Sequence, residues 1–214
     1  MSFPPRYPWN GFPPVSIHAS ESAVKTHPMY PASKSGDPDA AFVLVNHLVS
    51  LTVIQALTKN FAGAKPILVS AHAVESNGVN AIPAALAELL EEKTGFESDT
   101  DVVQINVVSH TGAGGMHRMA HQAMFDGTIV KDRNYLLVDD FIGQGGTLAN
   151  LRGYILDQGG RVIAATVLTG KPYSAKIGLE IETLQRLREK HGEDLENWWL
   201  GKFGHGLDCL TESE

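Results

Sequence analysis

Cysteine, positive charge and long apolar runs are all scarce in this 214-residue sequence. The single cysteine, Cys209, excludes an internal disulfide and is typical of a reducing compartment. Because 24 acidic residues outnumber 17 basic ones, the formal charge of −7 disfavours a general nucleic-acid-binding protein. No apolar run reaches the roughly 18 residues of a membrane helix, and residues 1–15 show neither the basic nor the apolar region of a signal peptide. These absences predict a cytoplasmic protein that binds a small molecule, not a nucleic acid or a membrane.

The composition predicts one α/β domain with additions at both ends. A hydrophobic fraction of 43% over 214 residues is enough for one sizeable core. Residues 1–39, which are rich in Pro, Ser, Tyr and Gly, are predicted to form an extended N-terminal arm. Residues 40–170 are predicted to form the α/β core, and residues 171–214 a C-terminal helical extension.

Strands and helices are predicted to alternate along the core. A helix with a wide buried face is expected to start at Asp37 and Pro38, with its apolar spacing over Phe42 to Leu57. Strands are expected at 65–72, 101–110, 135–140 and 159–170, with helices at 80–96 and 147–157. Elements that alternate at this spacing indicate a parallel sheet with helices on both faces. Helical periodicity returns at 174–192, Trp198 and Trp199 are expected to pack, and Thr211 to Glu214 has the spacing of a helix capping box.

The stretch YLLVDDFIGQGGT, residues 135–147, has the pattern of a ligand-binding turn. Ligands of parallel sheets bind beyond the carboxyl ends of the strands, where this turn is expected. The glycines at 143, 145 and 146 remove side chains, so that backbone N–H groups can point at an anion. The following helix contributes the positive end of its dipole, and Thr147 contributes a hydroxyl.

Asp139 and Asp140 precede the glycines and suit a different part of a ligand. Their carboxylates can accept hydrogen bonds from two vicinal hydroxyls or help to hold Mg²⁺. A turn that binds phosphate at one end and a diol at the other fits a ribose 5-phosphate. The alternative is a tight strand-to-helix turn whose glycines serve only packing, but the complete pattern in its strand–turn–helix context favours a ligand.

The stretch YLLVDDFIGQGGT resembles the signature of the type I phosphoribosyltransferases, which bind phosphoribosyl pyrophosphate (PRPP). The order of elements over residues 62–170 is also similar. The resemblance implies a phosphoribosyltransferase-type parallel sheet with helices on both faces, extended by the N-terminal arm and helix and by the C-terminal helices. It implies that Asp139 and Asp140 bind the ribose hydroxyls and Mg²⁺. The residues implied to surround the 5-phosphate are Gly143, Gln144, Gly145, Gly146 and Thr147.

The resemblance also gives expected roles to two other loops. The loop after the first strand would bind pyrophosphate through His72, Asn77 and Gly78, or would be a simple turn between strand and helix. Residues 109–133 correspond to a mobile loop that closes over PRPP and excludes water, or form an ordinary solvated loop. Arg118 is the predicted cation that meets the departing pyrophosphate. The reserve candidates for this role are His117, His121 and Lys131.

Gly143 and Gln144 depart from the family pattern, which usually has Ser or Thr followed by Thr at these positions. Gln144 can donate an amide N–H in place of a hydroxyl, so phosphate binding is expected to survive, weakened by ~1 kcal/mol. Gly143 replaces the acidic residue typical of enzymes that act on 6-oxopurines.

Two hypotheses follow from the residues together with the resemblance. The first is a Mg²⁺-dependent phosphoribosyltransferase that transfers the phosphoribosyl group from PRPP to a nitrogen acceptor and releases pyrophosphate. The acceptor is expected to be a nucleobase other than a 6-oxopurine, with ammonia or a less usual nitrogen acceptor as the alternative. Arg118, Asp139 and Asp140 would then be its catalytic residues. The alternative is a non-catalytic sensor of PRPP or a nucleotide. A homodimer whose N-terminal arms exchange is compatible with either hypothesis.

Overall fold

A parallel β-sheet forms the centre of the computed structural model, which describes residues 3–71, 74–75, 78–106, 119 and 121–214. The strands are β1 (Ser16–Ala19), β2 (Ile67–Ser70), β3 (Val74–Glu75), β4 (Gly78–Val79), β5 (Ser98–Asp99), β6 (Val103–Gln104), β7 (Phe125–Asp126), β8 (Asn134–Ile142) and β9 (Arg161–Gly170). Within the described residues the main sheet has five strands in the order β1-β9-β8-β2-β5, all paired in parallel. Strands β3 and β4, and strands β6 and β7, form separate antiparallel pairs.

Helices pack on both faces of this sheet. They are α1 (Glu21–Lys25), α2 (Tyr30–Lys34), α3 (Pro38–Leu48), α4 (Leu51–Phe61), α5 (Ile82–Thr94), α6 (Gly146–Asp157) and α7 (Ile181–Phe203). Since side chains alternate along a strand, Tyr135 and Leu137 of β8 pack in the cluster that contains residues of α6. Leu136 and Val138 pack in the opposite cluster with residues of α3 and α5. The predicted α/β class, with a parallel sheet between two helical layers, is confirmed.

Local signals in the sequence account for the ends of several helices. Asp37 accepts a hydrogen bond from the N–H of Ala40 and caps α3, and Pro38 occupies the first turn. Helix α5 has Pro83 in its first turn and ends at Gly95, whose φ of +74° is the left-handed conformation that glycine adopts readily. The predicted helices at 80–96 and 147–157 are therefore confirmed to within a few residues.

The prediction of a single helix from Phe42 to Leu57 is wrong. Helix α3 ends at Leu48, and α4 begins at Leu51 with Ser50 as its cap, because the Ser50 hydroxyl accepts from the N–H of Val53. Phe42 is 42% exposed, so it does not belong to the buried face. The apolar periodicity continues across the break, which is why it indicated one helix where two are present.

Two other predicted segments differ from the structure. The strand predicted at 101–110 is not a strand of the main sheet. The main sheet contains β5 at this point of the chain, and β6 pairs with β7 outside that sheet. Residues 107–110 lie outside the described part. The first 39 residues are not simply an extended arm, because they contain β1, α1 and α2. Strand β1 pairs with β9, so the sheet includes a strand from the N-terminal region. These elements have only four or five residues each, too few for a periodic pattern.

The C-terminal extension is helical from Ile181, later than the predicted position 174, and α7 is kinked at Gly192, where φ is +67° and ψ −174°. Trp199 is buried and stacks on Phe203 at 4.2 Å between ring centroids, as expected of a packing residue. Trp198, also predicted to pack, is 54% exposed.

Among the described residues, no single helix is both long and apolar enough to cross a membrane. By length and apolar composition alone, helix α3 and the segment Leu51–Ala64 would suffice as a pair, and the two are bent by 86° relative to each other.

Candidate functional site

The predicted phosphate loop lies between the carboxyl end of β8 and the first turn of α6. Gly145 has a φ of +87°, and a Cβ at this position would lie 3.0 Å from Cδ1 of Ile177. A residue with a side chain would therefore be strained in backbone conformation and crowded in space. The turn brings Gly146 and Thr147 to the N-terminus of α6, where backbone N–H groups and the helix dipole favour an anion.

A cleft of about 110 Å³ opens beside this loop. It is lined by Arg6, His121, Gln122, Ala123, Asp139, Phe141, Gly143, Gln144, Gly145, Gly146, Thr147, Leu148, Asn150 and Glu214. The lining thus contains Asp139, His121 and every residue of the predicted phosphate loop, with additions from both ends of the chain. The tertiary structure brings these groups together at the carboxyl edge of β8, the position expected for a ligand of a parallel sheet.

Asp139 and Asp140 lie on opposite faces of β8. Asp139 continues the face of Tyr135 and Leu137 and lines the cleft. Asp140 lies on the other face, where its Oδ2 is 3.1 Å from Nζ of Lys34 in α2, and it is not among the residues that line the cleft. The two residues are also linked directly, because the Asp140 N–H donates to Oδ1 of Asp139 at 2.8 Å. The structure therefore brings one of the two predicted carboxylates into the cleft.

The Asp139 carboxyl is held in an unfavourable environment for its charge. Asp139 is 7% exposed, and its burial raises the pKa of the carboxyl well above 3.8. The negative charge of Asp140 raises this pKa further, and the Lys34 ammonium opposes the rise. A buried carboxyl with a raised pKa gains free energy from a bound cation or from hydroxyl donors, and such groups are concentrated at functional sites.

Residues 211–214 cover the phosphate loop. The Thr211 hydroxyl donates to the backbone carbonyl of Gln144 at 2.5 Å, and Nε2 of Gln144 donates to the carbonyl of Ser213 at 3.3 Å. The Gln144 amide, expected to donate to a phosphate, thus donates to Ser213, while Gln144 Oε1 has no partner among the described residues. Thr211 and Glu214 form the reciprocal bonds of a capping box: Thr211 N–H donates to Oε2 of Glu214 at 3.0 Å, and Glu214 N–H donates to Oγ1 of Thr211 at 3.2 Å.

Arg6, from the N-terminal arm, is the cation of the described cleft lining and was not predicted. Its guanidinium donates to both carboxylate oxygens of Glu214, at 2.6 and 3.0 Å, and to Oδ1 of Asn150 at 2.7 Å. The sequence around Arg6 is rich in proline and has no feature that predicts a contact with α6. Glu214 did carry a signal, the capping-box spacing, but this indicated a helix start and not a contact with the cleft.

Several predicted site residues are not placed. Arg118, His117, His72 and Asn77 lie outside the described residues. Gly78 lies in β4 opposite Glu75 of β3, and the described cleft lining does not include it. Lys131 is exposed, packs beside Gly159 and is not among the residues that line the cleft. Of the reserve candidates among the described residues, His121 lines the cleft and Lys131 does not.

The surroundings of the single cysteine, Cys209, do not activate its thiol. The Cys209 thiol is buried, and burial raises its pKa to about 12, so the thiol is not activated as a nucleophile. Among the described residues no group of three or more His, Cys, Asp and Glu side chains is arranged to hold a metal ion. Any metal in the cleft would share the Asp139 carboxylate with oxygens of a ligand, which is the usual way in which Mg²⁺ binds.

Comparisons with known proteins give two sequence relatives. The chain is 39% identical to a protein named TraN from Escherichia coli over 209 residues, which are 98% of this chain and 47% of that protein. It is 36% identical to an uncharacterised protein of Haemophilus influenzae over 147 residues, 69% of this chain and 33% of the relative. The chain thus spans half or less of the length of these relatives. No protein-family model matches the sequence.

The solved structures to which the chain is similar include three enzymes. A purine phosphoribosyltransferase from Pyrococcus horikoshii shares 20% identity over 56% of this chain and 72% of that one, with a TM-score of 0.36. The UMP synthase of Leishmania donovani shares 10% identity over 76% of this chain and 34% of that one, with a TM-score of 0.34. The adenine phosphoribosyltransferase of Leishmania tarentolae shares 13% identity over 88% of this chain and 92% of that one, with a TM-score of 0.37. The function is therefore inferred from the residues of the cleft.

Proposed function

We propose that the chain binds PRPP in this cleft and transfers its phosphoribosyl group to a nitrogen acceptor, a nucleobase other than a 6-oxopurine. The observation that carries the proposal is the shared lining of one cleft by Asp139 and by the backbone of residues 143–147. The loop and the start of α6 bind the 5-phosphate through N–H groups. The Asp139 carboxylate accepts hydrogen bonds from the ribose hydroxyls.

The cleft stabilises the charges that such a transfer creates. The bond between the anomeric carbon and the pyrophosphate oxygen breaks with its electron pair on the oxygen, and a bond from the acceptor nitrogen to that carbon forms. The acceptor nitrogen then loses a proton to restore neutrality. Positive charge on the ribose ring in the transition state is stabilised by the Asp139 carboxylate at one end of the ring. Arg118 is proposed to meet the pyrophosphate.

The residues present fit a Mg²⁺ ion bound together with the substrate. Asp139 is the residue of the cleft that would hold it, since Asp140 lies on the other face of β8 against Lys34, and Mg²⁺ prefers carboxylate oxygens as ligands. The raised pKa of Asp139 fits this role, because a cation stabilises the ionised carboxylate. When bound, the ion supplies charge neutralisation to the pyrophosphate group.

Calorimetric titration of PRPP with Mg²⁺ tests binding. Wild type is expected to bind, and Asp139→Asn/Asp140→Asn is expected to lose affinity by tenfold or more, since charged hydrogen bonds contribute about 1.5–3 kcal/mol each. Asp194→Asn, an exposed change in α7, is the matched control and should leave affinity unchanged. Absence of PRPP binding to wild type would contradict the proposal.

A non-catalytic sensor is the second candidate, and the covered phosphate loop favours it. A cleft of about 110 Å³ is smaller than the roughly 300 Å³ typical of ligand pockets, and residues 211–214 lie over the loop beside it. Ligand binding would then rearrange this segment and report the ligand to a partner. Pyrophosphate release in the presence of a set of nucleobases distinguishes the two: a sensor binds PRPP and releases none.

A further inference from the structure

The two ends of the described chain meet in a buried ion pair at the cleft. Nη1 of Arg6 lies 2.6 Å from Oε2 of Glu214, and the two side chains are only 2% and 3% exposed. The pair is two-pronged, since Nη2 also donates to Oε1. A guanidinium in this arrangement matches two oxygens of a carboxylate or of a phosphate equally well.

This pair lies against the first residue of α6. A Cβ on Gly146 would be 2.9 Å from Oε1 of Glu214 and 3.4 Å from Nη2 of Arg6. Both residues line the cleft that also contains Thr147 and Asp139. The Glu214 carboxylate thus lies beside the positive end of a 12-residue helix, in the region where the proposed function requires the 5-phosphate.

A second polar side chain of the cleft lining, Gln122, has a buried acceptor without a partner among the described residues. Gln122 is 7% exposed and lines the cleft, and its Nε2 donates to the carbonyl of Met119 at 3.0 Å. Its Oε1 is buried and has no hydrogen-bond partner among the described residues. A buried acceptor without a donor has a free-energy cost that a ligand N–H or O–H would remove.

We propose that Arg6 is an anion-binding residue of the cleft and that the Glu214 carboxylate competes with the ligand for it. The carboxylate oxygens of Glu214 occupy the positions of two oxygens of a phosphate monoester. When a phosphorylated ligand binds, its phosphate replaces Glu214 on the Arg6 guanidinium. The identity of the ligand as a ribose 5-phosphate ester rests on the proposed function, whereas the exchange of carboxylate for phosphate rests on the contacts of Arg6.

Glu214→Gln is the most direct test. Glutamine has nearly the same shape and an amide oxygen that can still accept from the N–H of Thr211, but it lacks the negative charge. The variant should bind inorganic phosphate and ribose 5-phosphate at least tenfold more tightly than wild type in calorimetric titrations. Glu196→Gln is the matched control. Glu196 forms an ion pair with Arg188 on the surface of α7 at the same distance of 2.6 Å, and the variant removes its charge in the same way. It should leave both affinities unchanged.

Arg6→Met/Glu214→Gln isolates the cation. This double variant leaves no unpaired buried charge, so it is expected to fold even where a single variant, which keeps one charge of the buried pair, is destabilised. Its affinity for ribose 5-phosphate should be at least tenfold weaker than that of Glu214→Gln. Circular dichroism of each variant establishes that the fold is retained.

The outcomes separate this inference from the proposed function. In the first outcome, PRPP binds wild type, Asp139→Asn/Asp140→Asn abolishes this binding, and neither Glu214→Gln nor Arg6→Met/Glu214→Gln alters it. The Arg6–Glu214 pair then only connects the two chain ends, so the inference is wrong while the proposed function stands. If Glu214→Gln gains phosphate binding but no variant binds PRPP, the inference stands and the proposed function falls. If neither wild type nor Glu214→Gln binds any of the three probes, both are overturned.

Discussion

Asp139 illustrates, at the scale of one residue, a conflict between stability and binding. Its neighbours on the same face of β8 are apolar core residues, and a further apolar side chain would extend that packing. The carboxyl instead ends the buried face beside the glycine loop, and both burial and Asp140 raise its pKa. Local choices that are unfavourable for stability are expected where a residue serves a ligand.

Asp139→Asn should therefore stabilise the protein while it weakens binding. With a folded pKa above 3.8, wild type loses stability as pH rises from about 4 through the folded pKa, because the unfolded carboxyl ionises more easily. The amide variant should not show this loss. Urea denaturation between pH 4 and 8 measures it, and a steeper decline in the variant would contradict the prediction. The same variant should lose PRPP affinity by tenfold or more.

His18 gives the opposite pH dependence. It is 8% exposed, its Nδ1 accepts from the N–H of Ser50 at 3.2 Å, and its Nε2 lies 3.2 Å from Oγ1 of Thr166, whose hydroxyl donates to the carbonyl of Ser16. This chain of hydrogen bonds suits the neutral ring. Burial lowers the pKa of His18 from 6.5 to about 4.

Stability should accordingly be lost as pH falls from 6.5 to about 4, where the unfolded histidine gains a proton that the folded one does not. The expected total loss from this group is about 3 kcal/mol, from about 1.36 kcal/mol per pH unit. His18→Gln should flatten the dependence over this range in the same denaturation experiment. His191→Gln, at an exposed position, is the control and should reproduce the wild-type slope.

At the scale of one element, helix α6 is shaped by the segment that crosses it. Gly153 lies inside this helix, and a Cβ there would be 1.7 Å from the carbonyl oxygen of Pro5. Arg152 fixes the same segment, because its guanidinium donates to the carbonyls of Tyr7 and Pro8 at 2.9 Å. The glycine thus allows the N-terminal arm to lie directly on the helix backbone, and this contact places Arg6 in the cleft.

Gly153→Ala should destabilise the protein although alanine is the better helix former. The clash involves backbone on both sides and cannot be relieved by a rotamer change, so a loss of about 1–3 kcal/mol is expected. Gly201→Ala in α7 is the matched control, since a Cβ there meets nothing within 4 Å. It should stabilise by up to about 1 kcal/mol. Thermal unfolding of both variants measures the difference, and equal effects would contradict the account.

Across the whole molecule, the two ends of the described chain are packed on the same side of the sheet. The indole N–H of Trp9 donates to the carbonyl of Leu210 at 2.8 Å, and its ring lies 4.7 Å from the Arg152 guanidinium. Trp9 belongs to the hydrophobic cluster that contains the residues of α6. The same indole therefore holds the N-terminal arm to the core and positions the segment that covers the phosphate loop.

Trp9→Ala should cost about 3–5 kcal/mol, as large buried aromatic side chains do. Amide hydrogen exchange at residues 210–214 should accelerate in this variant beyond the change elsewhere, because the indole anchor of Leu210 is lost. Trp198→Ala removes a tryptophan that is 54% exposed and should alter stability by about 0.5 kcal/mol or less. Unchanged hydrogen exchange at residues 210–214 in Trp9→Ala would show that Trp9 does not hold the C-terminal segment in place.

The sequence by itself determined the α/β class, helices α5 and α6, and the placement of the glycine loop after β8. These features depend on residues that are close together in the sequence. They are the period of the hydrophobic residues, Pro83 in the first turn of a helix, Gly95 at a helix end, and the glycines that follow an apolar strand. Such interactions act over a few residues, so they can be read from a short window.

Only the tertiary structure decided which groups share the cleft. It separated Asp139 from Asp140 on the two faces of β8, added β1 to the sheet, and brought Arg6 to Glu214, a contact across 208 positions of sequence. Pairings at this distance depend on how whole elements pack and leave no local pattern in either partner, because the free energy that fixes them comes from burial at the point of contact.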